Sequence, residues 1–93
     1  MSKPTLGIIG GGQLGSMLSI AAKKLEIKTV IFCDNLDAPA QKFSDHFIHG
    51  SYDDIKKINE FLNKTDVITY EFENIPYQTL NTINKSKPVL PKP

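Results

Sequence analysis

The opening of the chain constrains its fold more than any other segment does. An apolar run at residues 5–9 (TLGII) leads directly into a glycine-rich turn at residues 10–15 (GGGQLG). Apolar side chains then recur at helical spacing, at Leu14, Met17, Leu18, Ala21 and Leu25. This order predicts a strand, a tight turn and an amphipathic helix over residues 13–25.

Strand patterns recur along the rest of the chain. Strands are predicted at residues 28–33 (KTVIFC), 46–49 (HFIH), 66–70 (DVITY) and, as an edge strand, 88–91 (PVLP). Turn-forming residues at 34–39 (DNLDAP) predict a loop after the second strand.

Helical patterns fill the intervals between these strands. Residues 40–45 are expected to hold a helical turn. Ser51 and Asp54 resemble a capping box, and the helix that follows would carry Ile55, Ile58 and Leu62 on one face. Pro76 is suited to the first turn of a further helix. The predicted buried side of that helix consists of Tyr77, Leu80 and Ile83.

Alternating strands and helices predict an α/β fold with an open, mostly parallel sheet and helices on both faces. Residues 1–93 are long enough for a single Rossmann-like domain. If the strand order is 3-2-1-4, the first and fourth strands are neighbours. Their carboxyl-terminal loops would then share one crevice, where ligands of such sheets bind.

Composition excludes several classes of protein. Eleven basic and ten acidic residues give a net charge of +1, so no nucleic-acid partner is indicated. No apolar run is long enough to cross a membrane. The single cysteine, Cys33, has no CxxC partner, which favours a reducing, cytoplasmic location. We interpret Cys33 as a buried small hydrophobe.

The glycine turn allows more than one interpretation. Gly10 would permit the turn, Gly12 a close approach of backbone to a ligand, and Gly15 close packing of helix on sheet. Amides at the helix start favour a phosphate, and the Gln13 amide could face a polar ligand. The pattern also matches a dinucleotide fingerprint, with Asp34 as the ribose-binding acid, or it serves only to close a tight turn.

A second group of polar residues follows the fourth strand. Residues 70–76 read YEFENIP, and alternation along a strand would place Glu71 and Glu73 on one face. Two carboxylates at the mouth of a crevice could accept hydrogen bonds from an amine or from ribose hydroxyls. Alternatively both acids are solvated and Asn74 helps to cap the next helix.

His46 and His49 are the only histidines and have no neighbouring cluster of ligand spacing. We therefore expect them at a strand edge or on the surface, and no metal site is predicted.

Taken together, these segments resemble the N5-carboxyaminoimidazole ribonucleotide synthetase family of the ATP-grasp superfamily. The family is also described as the ATPase subunit of phosphoribosylaminoimidazole carboxylase. The resemblance runs in order through GGGQLG with Met17 and Leu18, residues 37–40 (DAPA), residues 50–53 (GSYD) and VITYEFENIP.

The resemblance implies a ligase of de novo purine biosynthesis that uses ATP and bicarbonate to carboxylate 5-aminoimidazole ribonucleotide. The chain would be the N-terminal domain of this ligase and inactive alone, and the resemblance allows a homodimer of the full-length enzyme. ATP and Mg²⁺ would bind outside these residues, and no catalytic residue is assigned here. The residues implied to bind the ribonucleotide are Gly11, Gly12, Gln13, Leu14, Glu71 and Glu73.

The sequence departs from the family at one position. Ser16 stands where the family often has an arginine, so a positive charge that could help a phosphate is missing. A nicotinamide-dinucleotide-binding module of an oxidoreductase or of a regulatory sensor is the alternative function.

Overall fold

The structure is a computed structural model that describes residues 3–70 and 76–90, apart from the side chain of Tyr77. Nine elements follow one another in this part of the chain, and strands alternate with helical segments. They are β1 (Leu6–Ile9), α1 (Gln13–Lys24), β2 (Thr29–Cys33), a 3₁₀ helix (Pro39–Lys42), β3 (His46–His49), α2 (Ile55–Lys64), β4 (Val67–Tyr70), α3 (Tyr77–Asn84) and β5 (Val89–Leu90).

The five strands of the described residues form one sheet in the order β3-β2-β1-β4-β5. All four pairings are parallel. This confirms the predicted open parallel sheet, and β1 lies between β2 and β4 as the order 3-2-1-4 requires. The carboxyl ends of the strands therefore lie along one edge of the sheet.

Apolar side chains cover the sheet on both faces, as predicted. On one face Ile9, Phe32 and Ile68 pack with side chains of α2 and α3, among them Phe61 and Ile83. On the other face Ile8 and Ile31 form a smaller cluster with Ala38 and Ala40, against which Leu18 of α1 packs. Alternation along each strand explains why neighbouring residues belong to different clusters.

The predicted helix over residues 13–25 is confirmed as α1, but its apolar stripe is not its buried side. Leu14, Met17 and Leu25 are 49%, 58% and 61% exposed. The buried residues are small: Gly15, Ser16, Ser19 and Ala22. Small side chains allow the helix axis to lie close to the strands, which larger ones on that side would prevent.

The capping box predicted for α2 is wrong in its residues. Asp54 is the N-cap, and its carboxylate accepts hydrogen bonds from the amides of Lys56 and Lys57. The hydroxyl of Ser51 donates instead to the carboxylate of Asp53. Ile55 is the first residue of the helix, and its side chain is 70% exposed, so the prediction that it lies on the buried face is wrong. Ile58 and Leu62 are buried as predicted.

The remaining helical predictions are confirmed with small shifts. Residues 39–42 form the expected helical turn, as a 3₁₀ helix. Pro76 precedes α3 as its N-cap, one residue earlier than expected, and Leu80 and Ile83 are buried. No helix in the described residues is long and apolar enough to cross a bilayer.

Candidate functional site

The ends of β1 and β4 lie side by side at the carboxyl edge of the sheet. The last residues of these strands, Ile9 and Tyr70, are paired in the parallel register. The glycine turn follows Ile9 in the chain, and the segment that contains Glu71 and Glu73 follows Tyr70. The two predicted groups of site residues therefore start from adjacent points, although residues 71–75 lie outside the described part of the chain.

Gly10 makes the sharp turn out of β1. Its φ of 105° lies in the left-handed region, where a side chain would be strained. Its amide donates a 2.8 Å hydrogen bond to the carbonyl oxygen of Phe32, so the turn begins while still bonded to β2. This confirms the role predicted for the first glycine of the motif.

Helix α1 starts directly after the turn, with Gly12 as its N-cap. A glycine has no side chain that could cap the first-turn amides, and no side chain caps them from this position. Gln13 and Leu14 are the first two helical residues, and both are exposed to solvent. An anionic or polar ligand could therefore reach the helix start from the carboxyl edge of the sheet.

Ser16 lies on the inner side of this first turn. It is 8% exposed, and its hydroxyl donates a 3.1 Å hydrogen bond to the carbonyl oxygen of Gly12. The backbone amide of Ser16 donates to the same oxygen at 3.0 Å. Ser16 thus braces the N-cap and does not face the solvent in front of the helix.

The loop after β2 packs directly on the glycine turn, which the sequence did not predict. The amide of Ala40 donates a 2.9 Å hydrogen bond to the carbonyl oxygen of Gly11. A β-carbon placed on Gly11 would lie 2.6 Å from the β-carbon of Ala38 and 3.3 Å from the sulfur of Cys33. Gly10 is therefore not the only glycine of the GGG run under constraint, since the contact with this loop leaves no room for a side chain at Gly11.

A shallow groove of about 300 Å³ lies between the glycine turn and the loop after β2. Its lining residues are Gly11, Gly12, Cys33, Asp34, Asn35, Ala38 and Pro39. Asp34 is exposed and supplies the carboxylate of this groove, whereas Cys33 is 5% exposed, as expected for a small hydrophobe.

Tyr52 packs beneath the carboxyl edge of the sheet, next to Cys33. Its ring contacts that of Phe32 edge to face, with the ring centroids 5.4 Å apart. Burial raises the pKa of the Tyr52 phenol above its ordinary value of 10.0, and hydrogen bonding with the Cys33 side chain raises it further. Tyr52 is therefore a neutral packing residue and is not suited to act as a base.

The two histidines lie on the edge strand β3, as predicted, and both are exposed. His46 is 3.8 Å from the carboxylate of Glu60, and His49 contacts the carbonyl oxygen of Asp34 at 3.2 Å. Among residues 3–70 and 76–90, no three histidine, cysteine, aspartate or glutamate side chains form a group that could hold a metal ion.

Comparison with known proteins places this arrangement in a family. Residues 3–93 match the ribonucleotide synthetase preATP-grasp domain. The chain belongs to this family. The resemblance to the N5-carboxyaminoimidazole ribonucleotide synthetases is thereby confirmed, and the fold of this preATP-grasp domain is the open parallel sheet described above.

The individual relatives are N5-carboxyaminoimidazole ribonucleotide synthases. The preATP-grasp domain is 43% identical over 81 residues to N5-carboxyaminoimidazole ribonucleotide synthase of Staphylococcus epidermidis, covering 87% of the chain and 22% of the relative. The crystal structure of the Staphylococcus aureus enzyme complexed with ADP superposes with a TM-score of 0.87 at 43% identity, covering 92% of this chain and 23% of that one.

A more distant structure includes a further ligand. The Aspergillus clavatus N5-carboxyaminoimidazole synthase, in complex with ADP and 5-aminoimidazole ribonucleotide, superposes with a TM-score of 0.80 at 28% identity. That match covers 94% of this chain and 23% of the Aspergillus chain. The preATP-grasp domain described here thus spans about a quarter of the length of the relatives that it matches.

Proposed function

We propose that residues 1–93 form the Rossmann-like N-terminal domain of a longer ATP-grasp ligase, and that this domain helps to bind 5-aminoimidazole ribonucleotide. The ligase would carboxylate that ribonucleotide with bicarbonate and ATP in de novo purine biosynthesis. The observation that carries the proposal is the family match over residues 3–93, because relatives of this family are N5-carboxyaminoimidazole ribonucleotide synthases. The Aspergillus structure supports the ligand, since it holds ADP and the ribonucleotide together.

The residues proposed to contact the ribonucleotide belong to the two chain segments that follow β1 and β4. The first segment comprises part of the glycine turn and the start of α1, namely Gly11, Gly12, Gln13 and Leu14. Backbone amides and the Gln13 side chain can bind a phosphate or hydroxyl groups there. Glu71 and Glu73 follow β4 and would accept hydrogen bonds from the amine or the ribose. The pairing of Ile9 with Tyr70 supports this assignment, since it brings the starts of both loops together.

The chemistry explains why ATP is needed. Bicarbonate is a poor electrophile until one of its oxygens accepts a phosphoryl group and ADP leaves. The exocyclic amine of the ribonucleotide then attacks the carboxyl carbon, the amine loses a proton, and phosphate departs. Mg²⁺ would neutralise the phosphates during transfer. We assign ATP and Mg²⁺ to the remaining three quarters of the ligase and no catalytic residue to this domain.

The test is ATP hydrolysis by the full-length ligase that carries this domain. ADP formation should require bicarbonate and increase when 5-aminoimidazole ribonucleotide is added. Reactions lacking bicarbonate or the ribonucleotide are the controls. Hydrolysis that is indifferent to the ribonucleotide would refute the proposed substrate.

A dinucleotide-binding function makes a different prediction, namely saturable binding of NAD. Asp34 lines the groove beside Gly11 and Gly12, as that hypothesis requires. The family match over residues 3–93 favours the ligase instead. A calorimetric titration with NAD distinguishes the two functions, and we expect no saturable heat.

A further inference from the structure

The contact between the loop after β2 and the glycine turn fixes the orientation of a peptide group at the proposed site. The carbonyl oxygen of Gly11 points at the amide of Ala40, 2.9 Å away. A trans peptide is planar, with its carbonyl and amide directed oppositely. The hydrogen bond from Ala40 therefore sets the direction of the Gly12 amide, which points away from the 3₁₀ helix.

The same loop also limits where the glycine turn can lie. Ala38 and Ala40 are 4% and 0% exposed, so both are packed against other parts of the domain. Ala38 approaches Gly11 so closely that a β-carbon on Gly11 would be 2.6 Å from its methyl group. Since α1 begins directly after Gly12, any displacement of Gly11 would move the Gln13 and Leu14 amides as well.

The loop has hydrogen bonds of its own that keep Ala38 in place. The amide of Ala38 donates to the carbonyl oxygen of Asn35 at 3.2 Å, and the amide of Asp37 donates to the Asn35 side chain at 3.0 Å. The 3₁₀ helix that starts at Pro39 then presents the amide of Ala40 to Gly11. The conformation of residues 35–40, which pack against the glycine turn, is thus stabilised by hydrogen bonds within the loop itself.

We propose that Ala38 and Ala40 are positioning residues for the ribonucleotide. They act through Gly11, by holding the helix-start amides at the place where the substrate binds. This inference rests on the proposed function, because it takes the ribonucleotide to be the ligand of the glycine turn. It adds two residues from a separate loop, and their proposed effect on the ligand passes through Gly11.

A size exchange between positions 11 and 38 tests the inference in the full-length ligase. Gly11→Ala adds a methyl group where Ala38 leaves no room, and Ala38→Gly removes the methyl group that obstructs it. The φ of Gly11 is not in the left-handed region, so alanine is tolerated by its backbone. We expect Gly11→Ala to raise the KM for the ribonucleotide about tenfold or more, since small displacements of binding groups weaken binding strongly.

The double variant is the decisive one. Gly11→Ala with Ala38→Gly should bring the KM for the ribonucleotide back to within about threefold of the parent, because the 2.6 Å overlap with Ala38 is removed and the remaining 3.3 Å approach to the Cys33 sulfur needs only a small shift. The KM for ATP should stay unchanged throughout. A double variant no better than Gly11→Ala alone, or equal effects on the KM for ATP, would overturn the inference.

Folding and function are separated by two further measurements. Thermal unfolding of each variant shows whether Gly11→Ala still folds; if it does not, Ala38→Gly alone decides. That variant loosens the support without a clash, and should raise the KM for the ribonucleotide but not that for ATP. An unchanged KM would contradict a positioning role. A parent ligase that ignores the ribonucleotide would instead refute the proposed function, so the two failures are distinguishable.

Discussion

The hydroxyl of Thr79 donates a 2.7 Å hydrogen bond to the carbonyl oxygen of Tyr52, which ties the first turn of α3 to the segment between β3 and α2. Both residues are less than a tenth exposed, at 6% and 7%. If the buried carbonyl oxygen of Tyr52 lost this donor, water could not reach it to form a replacement hydrogen bond. This bond therefore helps to hold α3, which follows the segment of Glu71 and Glu73, against the rest of the domain.

Thr79→Val tests the contribution of this hydrogen bond, because valine has nearly the same shape and no hydroxyl. We expect the free energy of unfolding to fall by about 1–2 kcal/mol. Thr82→Val is the matched control in the same helix, since Thr82 is exposed. Urea denaturation measures both, and equal losses in the two variants would contradict the assignment.

Because Gly7 in β1 has no side chain, Phe61 of α2 and Thr65, which follows α2, can pack against this strand. A β-carbon on Gly7 would lie 2.6 Å from the Thr65 methyl carbon and 2.7 Å from the Phe61 ring, both of them buried. Gly7→Ala should lower the free energy of unfolding by about 2 kcal/mol, because a packed core accommodates extra volume only by shifting.

Gly50→Ala is the control for this substitution. Its β-carbon would meet the Cγ atom of Lys57 at 2.7 Å, but this side chain is 42% exposed and can change rotamer towards solvent, which the buried ring of Phe61 cannot. The expected loss is smaller than for Gly7→Ala, about 1 kcal/mol. If chemical denaturation gave Gly50→Ala the larger loss, the packing argument for Gly7 would be wrong.

The raised pKa of Tyr52 predicts loss of stability in alkali. Burial and the Cys33 side chain keep the phenol protonated in the folded domain, whereas it ionises above pH 10.0 in the unfolded chain. Below pH 10.0 the phenol is protonated in both states, so the folded domain loses no stability through Tyr52. Above that pH the unfolded chain releases the phenol proton, whereas the folded domain retains it. The free energy of unfolding should therefore fall by up to about 1.4 kcal/mol per pH unit.

Tyr52→Phe should make this alkaline decrease shallower, and Tyr70→Phe should leave it in place. Denaturant midpoints measured at pH 8, 10 and 11 provide the comparison. The interpretation fails if the two variants lose stability in parallel as the pH rises.

Gln13 and Glu73 are expected to affect substrate use more than folding. In the full-length ligase, Gln13→Ala should raise the KM for 5-aminoimidazole ribonucleotide about fivefold, the equivalent of one neutral hydrogen bond, and Glu73→Gln about tenfold or more. Gln78→Ala, at an exposed position of α3, is the control and should leave the KM unchanged. Steady-state kinetics at saturating ATP and bicarbonate measure the effect; unchanged kinetics in both site variants would refute the site.

Most of the fold could be predicted because strand and helix periodicities follow directly from side-chain spacing. The same reasoning failed for the inner side of α1. Leu14 and Met17 appear buried by pattern, yet close packing on the sheet selects Ser16, Ser19 and Ala22. It also misplaced the start of α2, where Asp54 supplies the cap expected from Ser51.

The proposed site could be predicted only in part. The motif GGGQLG identifies the turn and the start of α1, because the conformation of Gly10 and the helix start are local properties. The contact of Ala38 and Ala40 with Gly11 joins residues far apart in the chain. No spacing rule anticipates such a contact, since it depends on the course of the loop after β2.

The position of β1 in the middle of the sheet has a consequence for how the site comes into existence. β1 precedes the other four described strands in the chain, but one of its two partners, β4, lies beyond three helical segments and two other strands. Closing that long loop costs entropy before any pairing returns free energy. Because Ile9 meets Tyr70 only when β1 and β4 pair, an unfinished domain can have the glycine turn before the ends of these two strands lie side by side. Ligand recognition at this edge would therefore report on completed folding.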